Sequence, residues 1–92
     1  MLYYSTKTLL TTVLQSLETA DDIPWDDHIE SSKECLYEMS QMKTQGVASA
    51  VDSRASQKAS RAIPHVKLMV SAIRRRDRAT AVEHGKAAFA AM

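Results

Sequence analysis

Apolar positions near the start of the chain recur at the spacing of one helical face. This face is formed by Leu10, Val13, Leu14 and Leu17. They stand at i, i+3, i+4 and i+7, the interval at which side chains line up along an α-helix. Ser5 precedes the run and is a suitable N-cap residue. The pattern predicts a first helix over residues 5–20, which ends before Pro24 because the residue before a proline disfavours helical backbone angles.

A second apolar stripe begins directly after Pro24. It contains Trp25, Ile29, Leu36 and Met39, with Cys35 and Met42 beside them. Pro24 suits the first position of a helix, since an N–H has no helical partner there. Lys43 and then Gly46 form a typical stop signal, a cation in the last turn followed by a glycine. We therefore predict a second helix over residues 24–44.

Small residues mark the next segment. Val47, Val51, Ala55 and Ala59 follow one another in steps of four, which predicts a third helix over residues 47–62. Pro64 is predicted to begin a fourth helix, because a proline inside a helix removes a backbone hydrogen bond. The alternative is one longer helix that is kinked at Pro64.

The last apolar stripe changes phase near Asp77. The stripe consists of Val66, Met69, Val70 and Ile73. Asp77 is a suitable N-cap for a final helix over residues 78–91, and a continuous helix from 64 to 91 bent near Arg76 is the alternative. No stretch alternates as a strand does. The prediction is an all-α chain that forms one domain over residues 1–92, a small antiparallel bundle of four or five helices.

The two halves of the chain differ sharply in charge and composition. Residues 1–45 carry three lysines against eight acidic residues, a sum of −5, and hold most of the leucines. Residues 46–92 carry nine lysines or arginines against three acidic residues, a sum of +6, and hold most of the alanines. Either the acidic, Leu-rich half and the basic, Ala-rich half attract each other within the domain, or the basic half meets an anionic partner.

Few residues in the chain suit catalysis or cofactor binding. With only Gly46 and Gly85, the chain has no glycine-rich phosphate loop. Cys35 lies among apolar positions and is expected to be a small buried side chain, and no spacing brings a nucleophile next to a base. His28 and Cys35 share a helix face but are too far apart for a zinc ligand pair. We expect neither an enzyme nor a metal or cofactor site.

The compartment is predicted from cysteine usage and hydropathy. One cysteine excludes an intramolecular disulfide and fits a reducing compartment such as the cytoplasm. No apolar run approaches the roughly 20 residues of a membrane span, so no membrane partner is expected. Short helical chains without motifs are common among proteins of phages and plasmids, and such an origin is an expectation of the same general kind.

Two basic clusters and one tryptophan are the candidate partner-binding residues. They are Arg54, Lys58 and Arg61; Arg74, Arg75, Arg76 and Arg78; and Trp25, which acidic residues surround. We predict a non-catalytic protein–protein interaction module of the adaptor, chaperone or inhibitor type that binds an acidic partner surface through a basic helical face. The alternative is nucleic-acid binding by the same residues. A homodimer that stacks the alanine face of the third helix is a third hypothesis.

Overall fold

Four helices make up the part of the chain that the structure describes. A computed structural model gives the backbone of residues 2–45 and 50–92 and the side chains of residues 2–44 and 54–92. The helices are α1 (Leu2–Thr19), α2 (Trp25–Gln45), α3 (Ala50–Arg74) and α4 (Arg78–Ala91). These two segments contain no β-strand, so the all-α prediction is confirmed.

Each helix packs on the next one along the chain, and α4 returns to α1. Two hydrogen-bonded pairs show that α1 and α2 are antiparallel: Thr6 Oγ1 lies 2.6 Å from Glu38 Oε1, and Ser16 Oγ lies 2.8 Å from His28 Nε2. The molecule measures 42 × 20 × 18 Å, and its long axis matches the roughly 37 Å length of a 25-residue helix. The predicted small antiparallel bundle is confirmed.

Contacts at both ends of α1 show that α4 also runs antiparallel to it. Lys7 lies near Phe89 at the start of α1, with its Nζ 5.0 Å from the ring centroid. At the other end of α1, the Arg78 Nη2 donates a 2.6 Å hydrogen bond to the carbonyl oxygen of Glu18. The ring of four helices is thereby closed.

The core contains large side chains from α1, α2 and α3 and small ones from α3 and α4. Its fully buried members include Leu10, Leu17, Cys35, Met39, Ala59, Ala62, Val66, Met69, Ile73, Ala81 and Ala88. The predicted burial of Cys35 is confirmed. Of the predicted alanine face, Ala59 is buried and Ala55 half-buried within the single chain, and a homodimer through this face stays a prediction. Val47 lies outside the described residues, and so does the side chain of Val51.

Helix α1 begins earlier than the sequence pattern predicts. The prediction that Ser5 caps the first helix is wrong, because the backbone is already helical at Leu2. Leu2 and Tyr3 are half-buried and pack against the core, so the apolar face extends one turn further toward the N-terminus. The predicted start of α2 is correct within one residue, since the His28 N–H donates to the Pro24 carbonyl oxygen at 3.0 Å. The stop signal at Gly46 lies outside the described residues.

Helix α3 runs without interruption through Pro64. The predicted new start at this residue is wrong, and the structure adopts the alternative of one longer helix. Pro64 is exposed, so its ring points away from the neighbouring helices, and the only carbonyl that loses a partner is that of half-exposed Ser60. Buried Ala62 and Val66 on either side of the proline lie on the same core face. Their packing stabilises the helical conformation that the local sequence disfavours.

The turn between α3 and α4 has the geometry of a Schellman motif. Arg76 has a φ of 55°, and the N–H groups of Arg76 and Asp77 donate to the carbonyl oxygens of Ile73 and Ala72, each at 2.9 Å. Asp77 then caps α4 by accepting a 3.2 Å hydrogen bond from the Thr80 N–H. The predicted final helix with Asp77 as its cap is confirmed, and the alternative of a continuous helix from 64 to 91 is wrong.

Candidate partner-binding surface

The outer side of α3 carries a row of exposed residues along the whole helix. Arg54, Arg61, Leu68 and Arg75 follow one another at intervals of seven residues, and all are exposed. Seven residues correspond to about 10.5 Å along a helix. We call this row, with the exposed residues next to it, the α3 face. Its members are Arg54, Gln57, Arg61, Pro64, Lys67, Leu68, Ser71, Arg74 and Arg75.

The α3 face has a strong positive charge. Five of its members are cations, and no Asp or Glu occurs between residues 54 and 76. From residue 54 to the end of α3, the cations therefore have no carboxylate on their own helix among them. Such a concentration of one charge sign produces a local positive potential that attracts anionic partners.

Leu68 gives this basic surface an apolar centre. Leu68 is 49% exposed, whereas Val66, Met69, Val70 and Ile73 around it are buried. Exposed Pro64 lies one turn before it on the same side of the helix. An apolar centre inside a polar rim is the usual arrangement of a protein–protein interface. Lys67, Leu68 and Pro64 were not among the predicted site residues, because a helix broken at Pro64 would not have joined the two basic clusters.

Lys58 belongs to the first predicted cluster but does not lie on the α3 face. Its Nζ is 5.5 Å from the centroid of the Tyr3 ring, and the Nζ of Lys7 is 5.9 Å from the same centroid. The Tyr3 hydroxyl donates a hydrogen bond to the carbonyl oxygen of Met92. Lys58 therefore joins α3 to the aromatic start of α1 through a cation–π contact.

The second predicted cluster divides into two groups. Arg74 is the last residue of α3, Arg75 is the first residue of the turn, and both belong to the α3 face. Arg76 is exposed and occupies the left-handed position of the turn. The guanidinium of Arg78 binds the carbonyl oxygen of Glu18 near the end of α1, a group that helix geometry leaves without a partner. Arg76 therefore belongs to the turn and Arg78 stabilises the closure of the bundle, and they contribute little to the α3 face.

Trp25 lies at one end of the bundle, where the α1–α2 connection meets the α3–α4 turn. It is half-buried against the core. A shallow pocket of about 390 Å³ at this end is lined by Ile23, Pro24, Trp25, Asp26, Asp27 and Arg76. The structure thus brings Trp25 close to one of the predicted arginines, Arg76, and to the acidic first turn of α2.

A buried polar contact that the sequence did not reveal joins α1 and α2. His28, which is 7% exposed, places Nε2 at 2.8 Å from the Ser16 hydroxyl. Burial lowers the pKa of His28 below 6.5, and the nearby charge of Asp27 partly opposes this change. Ser32, one turn further along α2, has a buried hydroxyl without a hydrogen-bond partner. No sequence signal indicates the contact between Ser16 and His28, because the two residues come from different helices.

The described side chains offer little reactive or metal-binding chemistry. Burial raises the pKa of the Cys35 thiol to about 12, so the group stays protonated and weakly nucleophilic. No cluster of three potential metal ligands is found among the residues that the structure covers. Within those residues, no helix has both the length and the apolar character needed to cross a membrane.

Comparison with known proteins adds no relative to this picture. No protein-family model, no curated protein and no solved structure matches the chain. Its function is therefore inferred from its own residues.

Proposed function

We propose that this chain is a non-catalytic protein-binding module, of the adaptor, chaperone or inhibitor type, that binds an acidic surface of another protein through the α3 face. One observation carries the proposal: five exposed cations, with no acidic residue between positions 54 and 75, share the face on which Leu68 is exposed. The opposite side of α3 is fixed in the core, so the face is presented on a rigid support.

The surroundings of the α3 face favour a protein partner over a nucleic acid. Helix α2 packs directly on α3 and exposes Asp26, Glu30 and Glu34. These carboxylates repel a phosphate backbone that extends beyond α3, whereas a compact acidic patch on a protein avoids them. Leu68 supports the same choice, because a protein surface offers apolar atoms for it to contact. Nucleic-acid binding by the same cations is the alternative.

The proposal includes no chemical step. The imidazole of His28, hydrogen-bonded to half-exposed Ser16, is buried, and the thiol of Cys35 is buried and protonated. A cytoplasmic location remains a prediction from the single cysteine, and a phage or plasmid origin and self-association also remain untested predictions.

Capture from a lysate of the source organism tests the proposal. The bait variants are the tagged full chain, the double variant Arg61→Glu/Arg75→Glu, and the control Lys33→Glu/Lys86→Glu, which makes the same charge change at exposed positions outside the α3 face. In nuclease-treated lysate we expect the wild type and the control to retain the same protein partner and the α3 variant to lose it. Circular dichroism of all three baits establishes that they are equally folded.

Two results would contradict the proposal. If the α3 variant captures the same protein as the wild type, the α3 face is not the binding surface. If capture by the wild type disappears after nuclease treatment, the basic residues bind nucleic acid, and the alternative function replaces the proposed one.

A further inference from the structure

The spacing of the exposed row on α3 contains information about the shape of the partner. Arg54, Arg61, Leu68 and Arg75 occupy equivalent positions of a seven-residue repeat. Gln57, Pro64 and Ser71 alternate with them at steps of three and four. Residues at this spacing lie on one side of a helix, the side that a second helix packed alongside would contact. We infer that the element of the partner that docks on α3 is an acidic amphipathic α-helix lying along the row, an inference that rests on the proposed function.

A partner helix matches the row because both have the same repeat. Carboxylates placed every seven residues along a helix recur at about 10.5 Å, the interval that separates the cations of the row. An extended strand advances about 3.3 Å per residue and alternates its faces. Three residues of a strand therefore cover about 10 Å, but side chains three residues apart in a strand point to opposite sides. A helix with carboxylates at heptad positions keeps all of them on one side, in register with Arg54, Arg61 and Arg75.

The row also indicates the length and composition of the docking helix. From Arg54 to Arg75 the row spans about 31 Å, which a partner helix of about 21 residues covers. Three acidic side chains would meet Arg54, Arg61 and Arg75, and an apolar side chain would meet Leu68. With a single leucine at the centre, most of the attraction is electrostatic. The affinity should therefore decrease as ionic strength rises.

Two synthetic peptides of identical composition test the helical partner. The first carries four residues at heptad intervals: glutamates at the positions that meet Arg54, Arg61 and Arg75, and a leucine at the position that meets Leu68. The second distributes the same residues around the helix. Circular dichroism establishes that both peptides are equally helical, and fluorescence anisotropy measures their binding to the full chain. We expect the heptad peptide to bind about tenfold more tightly, since only it forms several ion pairs at once.

Variants of the full chain identify the contacts. Arg61→Gln/Arg75→Gln should weaken binding of the heptad peptide about tenfold, and Leu68→Ser should weaken it about threefold, because rim charges and a partly exposed leucine each contribute modestly. The matched control Lys33→Gln/Lys86→Gln should leave the affinity unchanged. Because these substitutions lie at exposed positions, the variants are expected to remain folded, and their thermal unfolding establishes this.

The outcomes separate the helical partner from the proposed function. Equal binding of the two peptides would overturn the helical partner. If capture from lysate still depended on Arg61 and Arg75, the proposed function would stand, but the docking element of the partner would not be a helix. A chain that binds neither peptide and captures no Arg61-dependent protein contradicts both. A 20-nucleotide single strand can be tested as a competitor of the bound heptad peptide. If it displaces the peptide at a lower concentration than unlabelled heptad peptide does, the row binds nucleic acid.

Discussion

Ser16 on α1 and His28 on α2 are joined by a 2.8 Å hydrogen bond that the two helices enclose. Because His28 is almost completely buried, its neutral form is favoured and its pKa lies below 6.5. Its protonation therefore weakens the packing of α1 on α2. The imidazole couples the stability of the bundle to pH.

We expect the free energy of unfolding to fall as pH decreases below about 6.5. In the folded chain the pKa of His28 is depressed, so the unfolded chain binds the proton more readily, and stability is fully present only above the unfolded pKa. Urea unfolding at pH 5, 6, 7 and 8 measures the slope. His28→Gln should remove a large part of this slope, and His84→Gln, which changes a half-buried histidine of α4, should keep it. An unchanged slope in His28→Gln would show that the dependence arises elsewhere.

We expect that replacing Ser32 by alanine does not lower the free energy of unfolding. Its hydroxyl is buried and lacks a hydrogen-bond partner, so its removal eliminates a desolvation cost. Alanine also has the higher helix propensity. We expect Ser32→Ala to raise the free energy of unfolding by about 1 kcal/mol.

Ser40→Ala is the matched control for Ser32→Ala. It gains the same helix propensity on α2 but removes an exposed hydroxyl that donates to the Leu36 carbonyl oxygen at 2.9 Å. Chemical denaturation of both variants isolates the effect of burial. If Ser32→Ala were less stable than Ser40→Ala, the hydroxyl of Ser32 would have a partner, such as a bound water, that stabilises the fold.

The sequence predicts the local features of the fold well. The apolar stripe after Pro24 predicts residues 24–44, and α2 spans Trp25–Gln45. Asp77 is predicted as a cap and accepts the Thr80 N–H. Both features depend on residues within a few positions of each other. Local propensities and capping preferences are therefore sufficient to identify them.

The features that the sequence does not predict depend on tertiary packing. The local cost of Pro64 is outweighed by the burial of Ala62 and Val66, a contribution that is visible only once the helices are packed. The α3 face follows from this continuity, since a break at Pro64 would separate Arg61 from Arg75. Lys58 looks equivalent to its cluster neighbours in the sequence, and its contact with Tyr3 arises only because α1 lies beside it.

Arg76 offers a direct test of the turn between α3 and α4. Its φ of 55° is costly for a residue with a Cβ and is accessible to glycine without strain. We expect Arg76→Gly to raise the free energy of unfolding by about 0.5 kcal/mol, because relief of strain exceeds the added flexibility of the unfolded chain. Thermal unfolding measures the change.

Arg75→Gly is the control variant for Arg76→Gly. The Arg75 N–H still bonds to the Ser71 carbonyl oxygen at 3.2 Å as in a helix, so glycine there should destabilise the chain by about 1 kcal/mol. Equal effects of Arg75→Gly and Arg76→Gly would mean that the turn does not hold the left-handed conformation.

Gly85 is a point of close approach between α4 and the side chains of α1 and α3. A Cβ at this position would lie 2.9 Å from Leu14 Cδ1 and 3.1 Å from Met69 Sδ. We expect Gly85→Ala to lower the free energy of unfolding by about 1 kcal/mol, because overpacking outweighs the gain in helix propensity.

A double-mutant cycle with Leu14→Val tests this cause, since valine removes the terminal methyl group that the new Cβ would meet. In the Leu14→Val background, Gly85→Ala should become neutral or stabilising, because the added methyl group then fills space instead of colliding. Chemical denaturation of the wild type, the two single variants and the double variant gives the coupling free energy. A coupling near zero would show that the cost of Gly85→Ala does not come from Leu14, and would leave Met69 as the side chain that limits the approach of α4.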